Sequence, residues 1–438
     1  MLTVEQALAH VLSVDLPVRT ETVALPDALG RVLAEPVMSL VSLPPWDNSA
    51  MDGYALRAAD TALDQVHSSA PQADCDGGAP GTPGAVLRVV DTIPAGGVPQ
   101  RALQPGEAAR IFTGAPMPTG ADTVVMQENT ERLDGDRVRI FGAAAQGRHI
   151  RRAGEAVRPG DTVLEAGRTM TAADLGLVAA LGQSQVVAAR RPIVALLATG
   201  DELVAPGQPL GPGQIWSSNT AAIAGYVLAA GGVPVDCGVA PDDLEGTRQA
   251  FRRALAHGPD LLVSTGGVSV GDFDVVKDAL ADEGAEMQFW KVRMKPGKPL
   301  AFGVIGGVPA FGLPGNPVSC VVNFLQFVRP VLRRAMGDPS PHLPVVDATL
   351  EEPVRKRAGR NELVRVRLAW RGGRLFARST GGQGSARIRG LSDAHGFLLL
   401  GAQATHAAAG DIVPVQMYDT AFLDGAAADY RWGGRDSA

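Results

Sequence analysis

The order of apolar and polar residues changes along the chain, and residues 191–337 carry the clearest pattern. Nearly continuous apolar runs such as RPIVALLATG and PDLLVSTGG alternate with segments whose apolar residues recur every three or four positions. These runs lack the every-second-residue alternation of a half-buried strand, so we expect strands that are covered on both faces. Strands alternating with helices predict a doubly wound α/β domain, whose ligands lie outside the carboxyl ends of the strands.

Capping residues predict where several helices begin and end. Thr3 is expected to cap a first helix that has one apolar face. A helix within NTAAIAGYVLAAGG is predicted to open at Asn219 or Thr220 and to end at Gly231. Another helix is predicted to stop at Gly182, because glycine readily takes the backbone conformation that follows a helix.

Residues 51–145 and 338–424 are predicted to be rich in β-structure. Both contain short runs of Val, Ile and Thr separated by Gly, Pro and Asp, such as AVLRVVDTI and ELVRVRLAW. The second of these regions fits a small β-barrel or sandwich. Small and turn-forming residues predict a flexible surface loop over residues 68–84, and the tail 425–438 is expected to be disordered.

Composition narrows the class of protein. The formal net charge of −6 argues against a dedicated nucleic-acid binder, for which a basic balance is expected. No run of about 20 apolar residues predicts a membrane span, and the N-terminus lacks the basic start and apolar run of a signal peptide. The three cysteines have no CxxC spacing, which favours a reducing compartment. We therefore expect a cytoplasmic protein.

Two loops that follow predicted strands carry acids and glycines. Glu202 ends the segment TGDE, where carboxylate oxygens are suited to a hydrated cation; helix capping by Asp201 is the alternative reading of the same segment. Within STGGVSVGDFD, Gly266 and Gly267 allow a ligand to approach the backbone closely and present N–H groups to an anion. A tight turn followed by a capping aspartate remains the alternative there.

Two further loops carry cations and a helix start. The segment WKVRMKPGKP concentrates lysines that act as mobile positive charges on phosphates, although a solvated charged face is the common alternative. In GLPGNPVS, Asn316 is placed to cap a helix with Pro317 at its first position. Such a helix start either binds a phosphate or serves only as a cap.

Taken together, the four loops suggest a metal-assisted enzyme acting on a phosphate ester or nucleotide. The seven histidines are scattered without metal-ligand spacing. Residues 267–271 formally match the G-x-S-x-G pattern, so a nucleophilic Ser269 is an alternative that no patterned histidine supports. Neither a Walker A motif nor a G-x-G-x-x-G fingerprint is present, which argues against those nucleotide-binding modes.

Seven segments, in order, resemble the MoeA and gephyrin-E family of molybdopterin molybdenumtransferases. They are PPWDNSAMDGYALR, RIFTGAPMPTGADTVVMQE, IRRAGE, ATGDEL, STGGVSVGDFD, FWKVRMKPGKP and FGLPGNPVS. The resemblance extends from about residue 3 to about residue 420. Because so many distinctive segments agree in sequence and order, it is specific.

The resemblance implies an elongated homodimer with four regions in each chain. It assigns 191–337 to a MogA-like α/β domain that binds molybdopterin and 51–145 to a β-rich insertion. Residues 1–50 with 146–190 would form a mixed linking region, and 338–424 a C-terminal β-barrel. The implied reaction takes molybdopterin-AMP and molybdate, needs Mg²⁺, and gives molybdenum cofactor and AMP. A MogA-type adenylyltransferase is an implied partner, and neither nucleic acid nor membrane is expected to bind.

Matching positions in these motifs carry the family's roles. Glu202 and Asp274 match acids linked to activity and to metal, while Lys291 and Lys295 match the family's basic pair. Asp52, in DNSAMDGY, matches another acid that is important in the family. The positions expected to bind substrate are Thr113, Asp242, Gly266, Gly267, Ser269, Lys298, Pro314, Pro317, Arg360 and Ser385.

One position departs from the family pattern. The family commonly has R-x-G-E-D, whereas this chain has Ala156 after Glu155. This departure keeps open one alternative to molybdate insertion, a catalytically weakened paralogue that binds or delivers the cofactor. A second alternative is a molybdopterin adenylyltransferase, the partner reaction on a similar α/β domain, which the β-rich insertion and the barrel disfavour.

Overall fold

The computed structural model describes residues 1–61, 84–266, 275–286 and 288–423. The loop predicted over 68–84 lies outside these ranges except for Gly84, which begins a strand. The predicted tail 425–438 also lies outside them. Within the described part of the chain, no helix is long and apolar enough to cross a membrane.

A six-stranded sheet forms the centre of the α/β domain. Four neighbouring strands are parallel, and two antiparallel strands extend one edge. Apolar clusters lie on both faces, which explains the continuous apolar runs and confirms the doubly wound prediction. In spatial order the strands are Val233–Ala240, Ile193–Thr199, Leu261–Thr265, Val308–Leu313, Pro299–Ile305 and Gln288–Lys291.

Helices cover both faces of this sheet. The helices Leu244–Ala256 and Val275–Asp282 pack on one face. On the other face lie Ser218–Ala229, Pro317–Asn323, the π-helical turn Phe324–Val328, Arg329–Arg334 and the N-terminal helix Val4–Leu12.

The N-terminal helix is built as its capping signal predicts. The Thr3 hydroxyl accepts a hydrogen bond from the Gln6 N–H at 3.2 Å, and the Gln6 side chain accepts one from the Thr3 N–H at 2.9 Å. Its apolar face, with Ala7 and Val11 fully buried, packs into the core of the α/β domain. This helix therefore belongs structurally to that domain's core, although the chain continues into the linking elements.

The helix predicted to open at Asn219 or Thr220 begins slightly earlier, at Ser218, with Ser217 in the N-cap position. The Asn219 side chain donates to the Gly315 carbonyl at 2.8 Å and is therefore not a cap. The predicted stops hold, since Gly182 and Gly231 follow helix ends with φ of 75° and 94°.

The β-rich insertion is one mixed six-stranded sheet. Buried side chains on its two faces form separate apolar clusters. Short 3-10 turns lie at Ala58–Thr61 and Gln127–Asn129. In spatial order the strands are Thr123–Met126, Gly53–Leu56, Glu107–Ile111, Gly84–Ile93, Arg137–Phe141 and Thr130–Leu133.

The linking elements pair segments that are more than a hundred residues apart. Each of three antiparallel ribbons joins a strand before the insertion to a strand after it. The chain segments that enter and leave the insertion therefore lie side by side. A 3-10 turn at Leu25–Ala28 and the helix Ala172–Ala180 cover them. The ribbons are Thr20–Ala24 with Gln185–Ala189, Val37–Met38 with Thr162–Leu164, and Asn48–Ser49 with Ile150–Arg151.

The C-terminal region is a closed barrel, as predicted. Five strands pair in a ring, and Met294–Lys295 of the α/β domain adds to Asn361–Arg371 from outside. The ribbon Val354–Arg355 with His406–Ala407, the helix Arg389–Ser392 and a 3-10 turn at Ala421–Leu423 complete the region. Around the ring the strands are Asn361–Arg371, Arg374–Ser379, Val345–Leu350, Ile412–Met417 and Gly396–Leu400.

Replacing Phe251 with alanine should destabilise the α/β domain without touching its carboxyl-end loops. Phe251 is fully buried between its helix and the sheet, so Phe251→Ala is expected to cost about 3–5 kcal/mol in unfolding free energy by urea denaturation. Arg253→Ala, at an exposed position of the same helix, should cost less than about 0.5 kcal/mol. Equal effects of the two changes would contradict this account of the core.

Candidate functional site

A cleft of about 690 Å³ opens at the carboxyl ends of the four parallel strands. We call it the strand-end cleft. It collects the loops that follow Thr199, Ala240, Thr265 and Leu313. Its lining residues are Thr199, Gly200, Glu202, Leu203, Ile215, Trp216, Ser217, Ser218, Asn219, Asp242, Thr265, Gly266, Pro299, Pro314, Gly315, Asn316, Pro317 and Ala386.

The backbone at Gly266 comes close to the neighbouring strand end. Its φ is 95°, and a Cβ there would lie 2.6 Å from the Thr199 carbonyl oxygen and 2.8 Å from the Thr199 Oγ1. Its N–H donates to the Leu313 carbonyl at 3.0 Å. Only glycine fits this position without moving a strand end, and its small size leaves the floor of the cleft open.

Three acids lie in the loops that follow Thr199 and Ala240, and two of them, Glu202 and Asp242, line the cleft. Asp201 and Asp242 are joined reciprocally, because each carboxylate accepts the other's backbone N–H at 3.1 Å. These bonds tie the loop after Thr199 to the loop after Ala240. Asp201 therefore bridges two loops instead of capping a helix. The Glu202 carboxylate folds over Gly200, and none of the described residues hydrogen-bonds to it.

The barrel reaches the opposite side of the cleft. Pro317 begins the helix Pro317–Asn323, and the N–H of Val318 donates to the Ser385 carbonyl at 3.0 Å. Ala386, the next residue, lines the cleft. Because a barrel loop occupies this donor, the helix start is not a simple open phosphate site, and the backbone of Ser385 makes the contact.

Arg365, which is not among the site residues predicted from the sequence, holds that barrel loop in place. It is 1% exposed, and its guanidinium donates to the carbonyls of Gly382, Gly384 and Arg387 at 2.8–3.1 Å. Burial lowers the pKa of Arg365. The available signal was an arginine between two valines in a strand, followed by a glycine-rich segment. Such a segment needs donors for its carbonyls.

The lysines of the KPGK segment divide into two groups. Lys291 ends an edge strand opposite Pro299, and Lys298 precedes Pro299, so both lie at the edge of the sheet that bears the cleft. Lys295 pairs with the barrel strand, and its ammonium contacts the Glu362 carboxylate at 2.8 Å. Lys295 does not line the cleft in this chain; it joins the α/β domain to the barrel.

Asp52 and Thr113 lie together in the insertion and outside the cleft lining. The Asp52 carboxylate accepts the Thr113 N–H and hydroxyl, both at 2.8 Å. The Thr113 N–H, followed by the Thr113 hydroxyl, lowers the pKa of Asp52. This carboxylate is therefore held ionised on the surface of the insertion.

The departure at Ala156 lies in an exposed turn of the linking elements. The neighbouring Glu155 accepts the Arg152 N–H at 2.8 Å, so its carboxylate is engaged in its own turn. Arg152 in turn contacts Asp47 at 2.6 Å, and the Ala153 N–H donates to Asp47 at 2.8 Å. The N–H of Ala153, ahead of the Arg152 side chain, lowers the pKa of Asp47.

The expected site residues thus separate into several sets. Glu202, Asp242, Gly266, Pro314 and Pro317 share the strand-end cleft. Lys291, Lys298 and Ser385 lie at its borders, while Lys295 binds Glu362 and the Asp52–Thr113 pair stands apart. Arg360 is exposed just before the barrel strand Asn361–Arg371. Gly267, Ser269 and Asp274 lie outside the described residues, so their roles stay predictions.

Comparison with known families matches this architecture region by region. Residues 2–182 match the MoeA N-terminal region (domain I and II), and residues 195–334 match a probable molybdopterin binding domain. Residues 347–418 match the MoeA C-terminal region (domain IV). The fold and site thus define a multidomain transferase built around a molybdopterin-binding domain.

Individual relatives are similar to this chain over most of its length. Molybdopterin molybdenumtransferase 2 of Mycobacterium tuberculosis is 41% identical over 410 residues, covering 92% of this chain and 95% of the relative. The Nostoc molybdopterin molybdenumtransferase is 44% identical over 321 residues, covering 73% and 70%. The crystal structure of the MoeA protein from Pyrococcus horikosii has a TM-score of 0.79 at 31% identity, covering 95% and 99%. The chain belongs to the MoeA family, enzymes of molybdenum cofactor biosynthesis.

Gly266→Ala should disturb the cleft floor. The added Cβ would enter the space of the Thr199 carbonyl oxygen at a backbone angle that alanine adopts poorly. We expect a loss of more than about 1 kcal/mol in unfolding free energy, measured by urea denaturation. Gly207→Ala, at a similar φ of 91° but in open space, is the matched control for backbone strain alone. A cost no larger than the control's would contradict the close approach.

Thr113→Val should raise the pKa of Asp52 toward its usual range without fully restoring it. The change removes the hydroxyl bond but keeps the backbone N–H, the larger of the two causes. The ionised Asp52 contributes stability that is present above the usual carboxyl pKa and is lost as pH falls through the lowered pKa. Carboxyl carbon NMR titration measures the shift. Asp47, with different partners, should titrate unchanged, and an unchanged Asp52 would contradict the assignment.

Proposed function

We propose that this enzyme inserts molybdate into adenylated molybdopterin and releases AMP. The observation that carries the proposal is the strand-end cleft, where Glu202 and Asp242 face the Gly266 turn and the Pro314–Pro317 loop in one cavity. Such a cavity offers carboxylates for a metal and a close backbone approach for an anionic linkage. The membership of the chain in the MoeA family supports the choice of substrate.

The cations at the cleft border suit a reaction between two anions. A substrate pyrophosphate and molybdate repel each other, and this repulsion grows as water is excluded from the site. Lys291 and Lys298 lie at the same sheet edge with exposed side chains. They would offset the combined negative charge as the two substrates meet. The buried guanidinium of Arg365 adds positive charge behind the barrel loop.

Mg²⁺ is the metal that the donor chemistry of the cleft fits. Carboxylate oxygens of Glu202 and Asp242 line the cavity, and magnesium prefers such oxygens together with substrate phosphates. Glu202, with the predicted Asp274, would hold the ion. When bound, magnesium polarises the linkage between pterin phosphate and AMP. The chain's own part is to orient that linkage on the Gly266 turn and to balance its charge.

The enzyme is further proposed to work as a cytoplasmic homodimer. Asp52 and Thr113 lie on the insertion outside the cleft lining, which supports a role for them at a composite site completed by a second chain. A MogA-type adenylyltransferase would supply the adenylated substrate.

Product analysis tests the proposed reaction. Purified enzyme should release AMP from molybdopterin-AMP only when molybdate and Mg²⁺ are both present. An adenylyltransferase would instead consume ATP in the presence of molybdopterin, and a delivery protein would bind molybdopterin without metal-dependent AMP release. Either of those outcomes would overturn the proposal.

Glu202→Gln should slow molybdate-dependent AMP release by about tenfold to a hundredfold. The change weakens the binding of Mg²⁺ because it removes a carboxylate charge, while the size of the side chain stays nearly the same. Raising the Mg²⁺ concentration should recover part of the rate. The matched control is Glu165→Gln, an exposed carboxylate in the linking elements that lies outside the cleft lining. It should leave both the rate and its magnesium dependence unchanged. A Glu202→Gln enzyme with the magnesium dependence of the wild type would exclude Glu202 as a ligand.

A further inference from the structure

One side of the strand-end cleft is apolar, and the acids and lysines do not account for it. Leu203, Ile215 and Trp216 line this side, and we call them the apolar wall. Ile215 is 54% exposed and Trp216 is 52% exposed. A single exposed apolar residue needs no explanation, but three that line one concave site are typical of a ligand-binding surface.

The apolar wall is held by a small parallel ribbon. Leu203–Val204 pairs with Ile215–Trp216, and the backbone bonds Ile215 N–H to Glu202 O and Ser217 N–H to Val204 O measure 2.8 and 2.9 Å. The indole N–H of Trp216 donates to the Gln208 carbonyl at 2.9 Å. One edge of the indole is therefore anchored while half of the residue's surface stays open to contact.

This wall stands directly beside the groups proposed to handle charge. Glu202 precedes Leu203 in the chain, and the ribbon bond from Ile215 ends on the Glu202 carbonyl. Gly266 and the Pro314–Pro317 loop line the same cavity. A ligand that fills the cleft must therefore be amphipathic, with an anionic part near the polar loops and an apolar part against the ribbon.

We propose that Trp216, supported by Ile215 and Leu203, is the stacking surface for a planar heteroaromatic ring of the substrate. This inference rests on the proposed function, since molybdopterin-AMP carries two such rings, adenine and pterin, on either side of its pyrophosphate. A tryptophan face binds a flat ring of either kind because stacking depends on the π-surface and little on hydrogen-bonding pattern. Trp216 thereby sets the affinity for the ring-bearing half of the substrate.

Calorimetric titration of the full-length protein tests the surface with three phosphorylated ligands. AMP carries adenine, neopterin monophosphate carries a pterin, and ribose 5-phosphate carries neither ring. Trp216→Ala should weaken binding of AMP or of neopterin monophosphate by about fivefold to about a hundredfold, the range of base–aromatic stacking. Binding of ribose 5-phosphate should stay unchanged. Whichever ring-bearing ligand is weakened identifies the ring that stacks.

Two variants separate stacking from damage to the fold. Trp216→Phe keeps a flat ring and should retain affinity within about threefold of the wild type. Trp370→Ala removes an equally exposed tryptophan, at 56%, from a barrel strand outside the cleft lining and should change nothing. Thermal unfolding shows whether Trp216→Ala remains folded, and a loss of ribose 5-phosphate binding together with a lowered Tm would overturn the stacking role.

The failures of the two proposals are distinguishable. If wild-type protein binds AMP or neopterin monophosphate and Trp216→Ala binds both with unchanged affinity, the stacking surface is rejected while molybdate insertion stands. If the wild type binds none of the three ligands and releases no AMP from molybdopterin-AMP, the proposed function is rejected, and the stacking surface with it.

Discussion

The parallel pairing of four strands is the constraint on which the site depends. Because Ile193–Thr199, Val233–Ala240, Leu261–Thr265 and Val308–Leu313 run in one direction, the loops that follow them open at a single edge. The strand directions alone therefore bring residues from four distant parts of the chain together at that edge. The close packing of the strand ends restricts the residue type most strongly at Gly266, where no side chain fits beside the end of the neighbouring strand.

The barrel completes what the sheet begins. Among the described residues, the contacts that join it to the α/β domain include the Val318 N–H with the Ser385 carbonyl, the Lys295 ammonium with Glu362, and the backbone pairing of Met294–Lys295. Arg365 stabilises the loop that makes the first contact by binding three of its carbonyls. A buried cation paired only with carbonyl dipoles is costly. That cost is consistent with a loop whose position near an anionic ligand matters.

Much of the fold followed from local patterns in the sequence. Continuous apolar runs identified the buried strands, and Thr3, Gly182 and Gly231 marked helix ends, because capping depends on residues close in the chain. The linking ribbons were not foreseen, since Thr20–Ala24 finds its partner at Gln185–Ala189 and no local signal records such a pairing. The helix begins at Ser218, earlier than predicted, because the Asn219 side chain donates to the Gly315 carbonyl and does not cap the helix.

In the candidate site, too, some residues could be predicted from their position in the sequence, whereas others depend on partners distant in the chain. Glu202, Asp242, Gly266 and the prolines of GLPGNP follow strands directly, so topology alone carries them into one cleft. Glu362 acts through Lys295 of the α/β domain, and Arg365 acts through the barrel loop of residues 382–387. Both roles depend on residues distant in the chain, so neither is visible from the strand that carries them.

Asp52 lies on the insertion and is not part of the lining of the strand-end cleft. Thr113 holds Asp52 ionised by two hydrogen bonds, from its backbone N–H and from its hydroxyl. Asp47 is held in the same state by Arg152 and Ala153 nearby in the linking elements. Two carboxylates kept charged in exposed turns do not stabilise a core. The proposed composite site between two chains would use these two carboxylates.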